Sequence, residues 1–168
     1  MTMQYDVLSL HLNVTSQALI GRARVKGLIV TGAASGTGYA YLWDATTAPV
    51  AGTYARSAGG LVTVTQTAHG LVTGQQVGLV FGAGTGGQVN PGNYTITKTG
   101  ADTYTFQDIN TGAITGTPAT LQGTKWLTSI DIAANESIAL PVPGEGILAA
   151  NGIYASVSNL TGLTVFYG

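Results

Sequence analysis

The sequence predicts an all-β fold: a jelly-roll-like β-sandwich host domain with a small β-barrel module inserted into it. Three observations carry that expectation. Gly accounts for 25 of 168 residues and threonine is comparably common, so helix propensity is low along almost the whole chain, while Thr, Val, Ile and Tyr suit a pleated, half-buried surface. Apolar residues recur with period two and nowhere with helical period. Gly, Asn and Pro turns cut the alternation into short runs, as in a sandwich or barrel.

Taken in order, Leu8, Leu10, Leu12 and Val14 alternate with Ser9, His11 and Asn13, a half-buried strand. Leu19, Ala23, Val25 and Ile29 then face one way and Arg22, Arg24 and Lys26 the other. Tyr39, Tyr41 and Trp43 form a third set, ended by Asp44 and Pro49. After the middle of the chain, Trp126, Thr128, Ile130 and Ile132 alternate, followed by runs at Ile138 and Leu140, Ile153 to Val157, and Leu163 to Tyr167.

The middle differs in composition. From Ser57 to Gly123 the only charged residues are Lys98, Asp102 and Asp108, and Gly59-Gly60 and Gln122-Gly123 read as joints. The expected division is therefore a sandwich built from 1–56 and 124–168, with a module over 57–123. Inside the module, Leu61 to Thr67 and Gln76 to Phe81 read as strands, and Tyr94 to Thr99 with Thr103 to Ile109 as a hairpin over Gly100-Ala101-Asp102.

Charged residues make up 8% of the chain and the net charge is −1, so there is no global basic field for a nucleic-acid backbone or an anionic membrane, and neither is an expected partner. With no cysteine and two isolated histidines, thiol catalysis, disulfides and a protein-built metal site are not expected. No continuous apolar run marks a signal peptide or a membrane span, which predicts synthesis in the cytoplasm.

Two motifs mimic nucleotide binding. Thr31-Gly32-Ala33-Ala34-Ser35-Gly36-Thr37-Gly38, with Tyr94 and Lys98, resembles the TGxxxGxG turn and YxxxK pair of short-chain dehydrogenases; that turn needs a following helix to carry the pyrophosphate, and Tyr39 to Trp43 alternates as a strand instead. Gly82 to Gly87 satisfies GxGxxG, but Gln88-Val89-Asn90-Pro91 follows it. His11, His69 and the dispersed carboxylates form no arrangement that sequence can assemble into a triad or a glycosidase pair. No catalytic residue, cofactor or metal ligand is therefore assigned, and a non-enzymatic protein is expected.

Thr67-Ala68-His69-Gly70-Leu71, then Gly74, Val77, Asn90, Tyr94 and Tyr104-Thr105-Phe106 are similar in order to a small β-barrel module of the form HGL…G(D)xV…N…Y…T-F. That module occurs in bacteriophage tail, fibre and other virion proteins and, in related form, in one half-domain of ubiquitin-activating enzymes. Gln75 stands where the pattern usually has Asp. The resemblance implies a structural unit without catalytic residues; read from the residues themselves, His69-Gly70 reverses the chain, Gly74 supplies a positive φ, and Val77, Leu79, Phe81, Tyr94 and Phe106 can fill a small barrel. Gly144-Glu145-Gly146-Ile147-Leu148 and the closing Leu163 to Gly168 resemble the ends of phage capsid decoration or cement proteins.

The resemblance implies a virion structural protein that binds the phage major capsid protein; a tail-fibre, head-fibre or baseplate component and a host-glycan-binding module, with Trp43, Tyr41 or Trp126 stacking on sugars, are the alternatives. A chain with so few charges is expected to cover neutral surface with copies of itself, as a homo-oligomer, by preference a trimer. Arg22, Arg24 and Lys26, half of the chain's 6 cations, are the candidate contact with an acidic capsid or neighbouring subunit.

Overall fold

A computed structural model describes residues 7–168, and its strands number β1 to β16. They are β1 (Leu8–Leu12), β2 (Ser16–Ile20), β3 (Ala23–Gly32), β4 (Gly38–Asp44), β5 (Val50–Arg56), β6 (Leu61–Thr65), β7 (Gln76–Phe81), β8 (Gly92–Thr95), β9 (Thr97–Lys98), β10 (Thr103–Gln107), β11 (Ala119–Gly123), β12 (Trp126–Ile132), β13 (Ser137–Pro141), β14 (Ile147–Ala149), β15 (Gly152–Ser158) and β16 (Leu160–Tyr167). The fold is all-β with three sheets, one of them nearly closed into a barrel. The chain divides into two compact units, Met1–Ala48 with Leu127–Gly168, and Pro49–Trp126.

The first unit has a five-stranded sheet in the order β1-β16-β3-β13, with β14 also on β3, and a four-stranded sheet in the order β12-β4-β15-β2. Val25, Leu28, Val30, Leu163 and Val165 from the first sheet and Ala40, Leu42, Ile132, Ile153 and Ala155 from the second form one buried cluster. This is a sandwich core of interdigitated inner faces. Asp44, read from sequence as a strand terminator, is buried, and its Oδ1 accepts the N–H of Asn151 at 2.7 Å and of Gly152 at 3.4 Å. It thus satisfies the backbone where the chain enters β15.

The long strand β3 does not alternate simply. Ala23 and Val25 are buried, and so are Leu28 and Val30, while Ile29 is 38% exposed. The cause is a bulge: Phe166 pairs with Gly27 but Tyr167 pairs with Val25, which leaves Lys26 as the extra residue. One unpaired residue flips every later side chain to the other face. The expectation that Ile29 shares the inward face of Val25 is corrected accordingly. Leu8 and Val14 are likewise exposed at 56% and 61%, because β1 is an edge strand and ends at Leu12; only Leu12 of that alternating set is fully inside.

The second unit is a seven-stranded sheet in the order β8-β7-β11-β5-β6-β10-β9. Val62, Val64, Val77, Leu79, Phe81, Ile96, Tyr104 and Phe106 form its core, each large apolar side chain contributing about 1.5–3 kcal/mol on burial. The unit begins before the Gly-Gly joint at 59–60, because β5 pairs with β6 and β11 rather than with the sandwich. Val50–Arg56 is therefore a barrel strand, which corrects its assignment to the host. Ile114 and Val89, unremarkable in sequence, are fully buried in the same core.

Candidate functional site

The three cations of β3 and its approach do not act alike. Arg24 forms an ion pair with Glu145 at 3.1 Å and donates to the Gly146 carbonyl at 3.4 Å, while the Lys26 ammonium donates to the Glu145 carbonyl at 2.8 Å. These two hold the 143–146 turn against β3; with Glu145 so exposed, the ion pair itself is worth about 0–1 kcal/mol. Arg22 is exposed and has no ion-pair partner among the described residues.

Beyond the bulge, the same outward face of β3 turns apolar. A groove of about 480 Å³ runs over it, lined by Val7, Gly27, Ile29, Ala139, Pro141 and Phe166, with Lys26 at one end. Strand register brings these residues together: Gly27 stands between Phe166 of β16 and Pro141 of β13, and Ile29 lies opposite Ala139. The groove is open to solvent. Sequence alone missed it because the bulge that moves Ile29 outward leaves no mark in composition.

In the second unit the residues of the HGL pattern sit at turns and in the core. Gly70 and Gly74 have φ of 65° and 86°, left-handed values that suit glycine. His69 Nδ1 accepts the Leu71 N–H at 3.0 Å, so the neutral ring carries its proton on Nε2. That atom is buried without a partner among the described residues, and the ring meets Tyr104 edge-on, centroids 5.1 Å apart. Gln75, in place of the usual Asp, still closes its turn: its Oε1 accepts the Val72 N–H at 3.2 Å. Val77 is fully buried, Phe106 is 5% exposed, and Tyr94 packs on Phe106 with centroids 4.2 Å apart.

The dehydrogenase-like residues are parts of β structure: 33–37 joins β3 to β4, while Tyr94 and Lys98 lie on the separate strands β8 and β9. The Gly82 to Gly87 stretch is tied to 113–115 by reciprocal backbone bonds between Thr85 and Thr115 at 3.1 and 2.9 Å. Among the described residues no group of three or more His, Asp or Glu side chains could hold a metal ion.

Of the aromatic candidates for sugar stacking, Trp43 is fully buried and its Nε1 donates to Ser156 Oγ at 3.1 Å. A ring with no exposed face cannot stack on a sugar, which removes it from the candidates. Trp126 is half-buried, and Tyr41 lies against Tyr39 with centroids 4.5 Å apart. Burial, then the Asp131 carboxylate and Tyr39, push the Tyr41 hydroxyl up to about 12; burial also raises Tyr104, Tyr54 and Tyr94. The folded state therefore holds protons that the unfolded chain releases near pH 10, so stability is full below that pH and falls as pH rises from about 10 toward 12. A spectrophotometric titration of the chain's 8 tyrosines should show a fraction that ionises only together with loss of the β circular-dichroism signal. Smooth titration of all of them around pH 10 with the fold intact would contradict the burial seen here.

No protein-family model, no curated protein and no solved structure matches this chain.

Proposed function

We propose that the chain is a non-enzymatic structural protein of a bacteriophage particle, a capsid decoration or cement protein that binds the major capsid protein and carries a small barrel as a module inserted into a jelly-roll-like sandwich. One observation carries the reading. The residues that resemble the virion module, from Thr67 to Phe106, belong to a single compact unit, and within it His69, Gly70 and Gly74 make turns, Val77 and Phe106 pack inside, and the half-buried Tyr94 packs against them. Those are turn and packing roles, which fit a structural unit without catalytic residues. A chain whose sequence spends its special residues on turns and packing suits a durable particle component.

The test is cryo-electron microscopy and quantitative mass spectrometry of particles from the phage that encodes the chain. The expected result is one copy number per lattice position, with density for both units on the capsid. Density confined to the tail would replace this reading with the fibre or baseplate one. Absence from purified particles would overturn both.

A further inference from the structure

We propose that the outer face of the five-stranded sheet is the seat of a second copy of this chain, the two copies related by a two-fold axis that lies between the two faces, parallel to the sheet and crossing β3 between Gly27 and Ile29. The proposal is independent of any virion role.

The face has the anatomy of an interface. Its centre is the apolar groove with Gly27, Ile29, Ala139, Pro141 and Phe166, and no charged residue lies among these five. Its border is polar: Thr31 and Ser137 share a hydroxyl contact at 3.2 Å on one side of Ile29, and His11 meets Thr164 at 3.1 Å on β1 and β16. An apolar centre with a polar rim is how specific protein interfaces are built. Ile29 is 38% exposed at the centre of this face and Val7, just before β1, is 47% exposed beside the same groove; apolar surface gathered in one place marks an interaction site.

Size and shape select a protein sheet over a small ligand. Four strands spaced about 4.8 Å apart and about eight residues long at about 3.3 Å each present about 500 Å² of flat face. Two such faces bury about 1,000 Å², the lower bound for a specific dimer. The groove is open rather than enclosed, so it would leave much of a small molecule wet, whereas sheets pack face to face at about 10 Å with their side chains interdigitated.

Charge selects a second copy, and a two-fold over the three-fold that composition suggested. Arg22 precedes β3 at one end of the face, with Lys26 nearby. Glu136 stands at the other end, where its carbonyl accepts the Gly32 N–H at 2.9 Å. Both Arg22 and Glu136 are exposed, and neither has an ion-pair partner among the described residues. Rotation by a half turn about an axis through the middle sets the Arg22 end of each copy on the Glu136 end of the other. Such a face is complementary to itself, the defining property of an isologous dimer; a trimer needs two different complementary patches.

The experiment is sedimentation equilibrium of the full chain from about 1 to about 100 µM. A reversible dimer of twice 17.0 kDa is expected. Ile29→Glu places a charge at the centre and should weaken dimerisation at least about 100-fold. Ala139→Arg, on the exposed edge strand β13, should do the same and keeps the test valid if Ile29→Glu misfolds; circular dichroism identifies that case. Arg22→Glu and Glu136→Arg should each weaken the dimer several-fold, and the double reversal should restore it. A monomer throughout the range, a trimer, or a dimer indifferent to Ile29→Glu and Ala139→Arg in folded protein would each overturn the proposal.

Discussion

Replacing Arg56 with alanine is expected to destabilise the barrel unit by about 3–5 kcal/mol, enough to unfold it at physiological temperature. The Arg56 and Asp108 side chains form an ion pair in which they are only 6% and 4% exposed. The Arg56 Nε also donates to the Gly112 carbonyl at 2.6 Å, and its backbone exchanges bonds with Ile114 at 3.1 and 2.8 Å. One side chain therefore ties the 108–114 segment, and with it the core residue Ile114, to β5. Removing the guanidinium leaves the Asp108 carboxylate buried without its cation and frees the segment. Asp108→Asn should cost less, because the amide can still bond the guanidinium but leaves its charge uncompensated. The double replacement Arg56→Met with Asp108→Leu should recover most of the loss, since a well-packed apolar pair is often as stable as a buried ion pair. Scanning calorimetry is the suitable measurement, because two units can melt in separate transitions. A barrel transition moved by less than about 0.5 kcal/mol in Arg56→Ala would show that the pair is idle.

The same pair marks where sequence reading stops. On β6 and β10 alternation and burial coincide, with Val62, Val64, Tyr104 and Phe106 inside, while β7 is buried on both faces from Val77 to Phe81; all three were legible as strands. Strand β5 was not legible as part of the barrel. Its alternate positions hold Gly52, Tyr54 and Arg56, and only Tyr54 and Arg56 are buried. A buried arginine is invisible to a hydrophobic pattern, since it enters the interior only because Asp108, remote in sequence, neutralises it. The outer groove of the sandwich was hidden for a different reason. The Lys26 bulge is set by how β16 pairs with β3, a tertiary fact that reverses the facing of Ile29 without altering any local propensity. The cations Arg22, Arg24 and Lys26 were visible, but the division between two that hold the 143–146 turn and one that stands free depends on where Glu145 folds back.

Excision of 49–126, with a short Gly/Ser bridge from Ala48 to Leu127, is expected to leave a soluble, cooperatively folding sandwich, whereas excision of 57–123 is expected to aggregate. The two deletions differ chiefly in whether β5 remains. In the first, the sandwich cluster from Leu12 to Val165 keeps every buried member, since none of its residues falls between 49 and 126. In the second, Val50–Arg56 stays behind after losing both neighbours, β6 and β11, and exposes Tyr54 and an Arg56 without Asp108. A strand with two unpaired edges and a bared aromatic side chain is a template for intermolecular pairing. The readouts are the soluble fraction, amide dispersion in a heteronuclear NMR spectrum, and a single reversible thermal transition for the 49–126 deletion. If the 57–123 deletion folds and the 49–126 deletion does not, β5 serves the sandwich and the division between the units lies at the Gly-Gly joint. If both aggregate, the barrel strands are needed for the sandwich to fold at all, and the two units act as one cooperative domain.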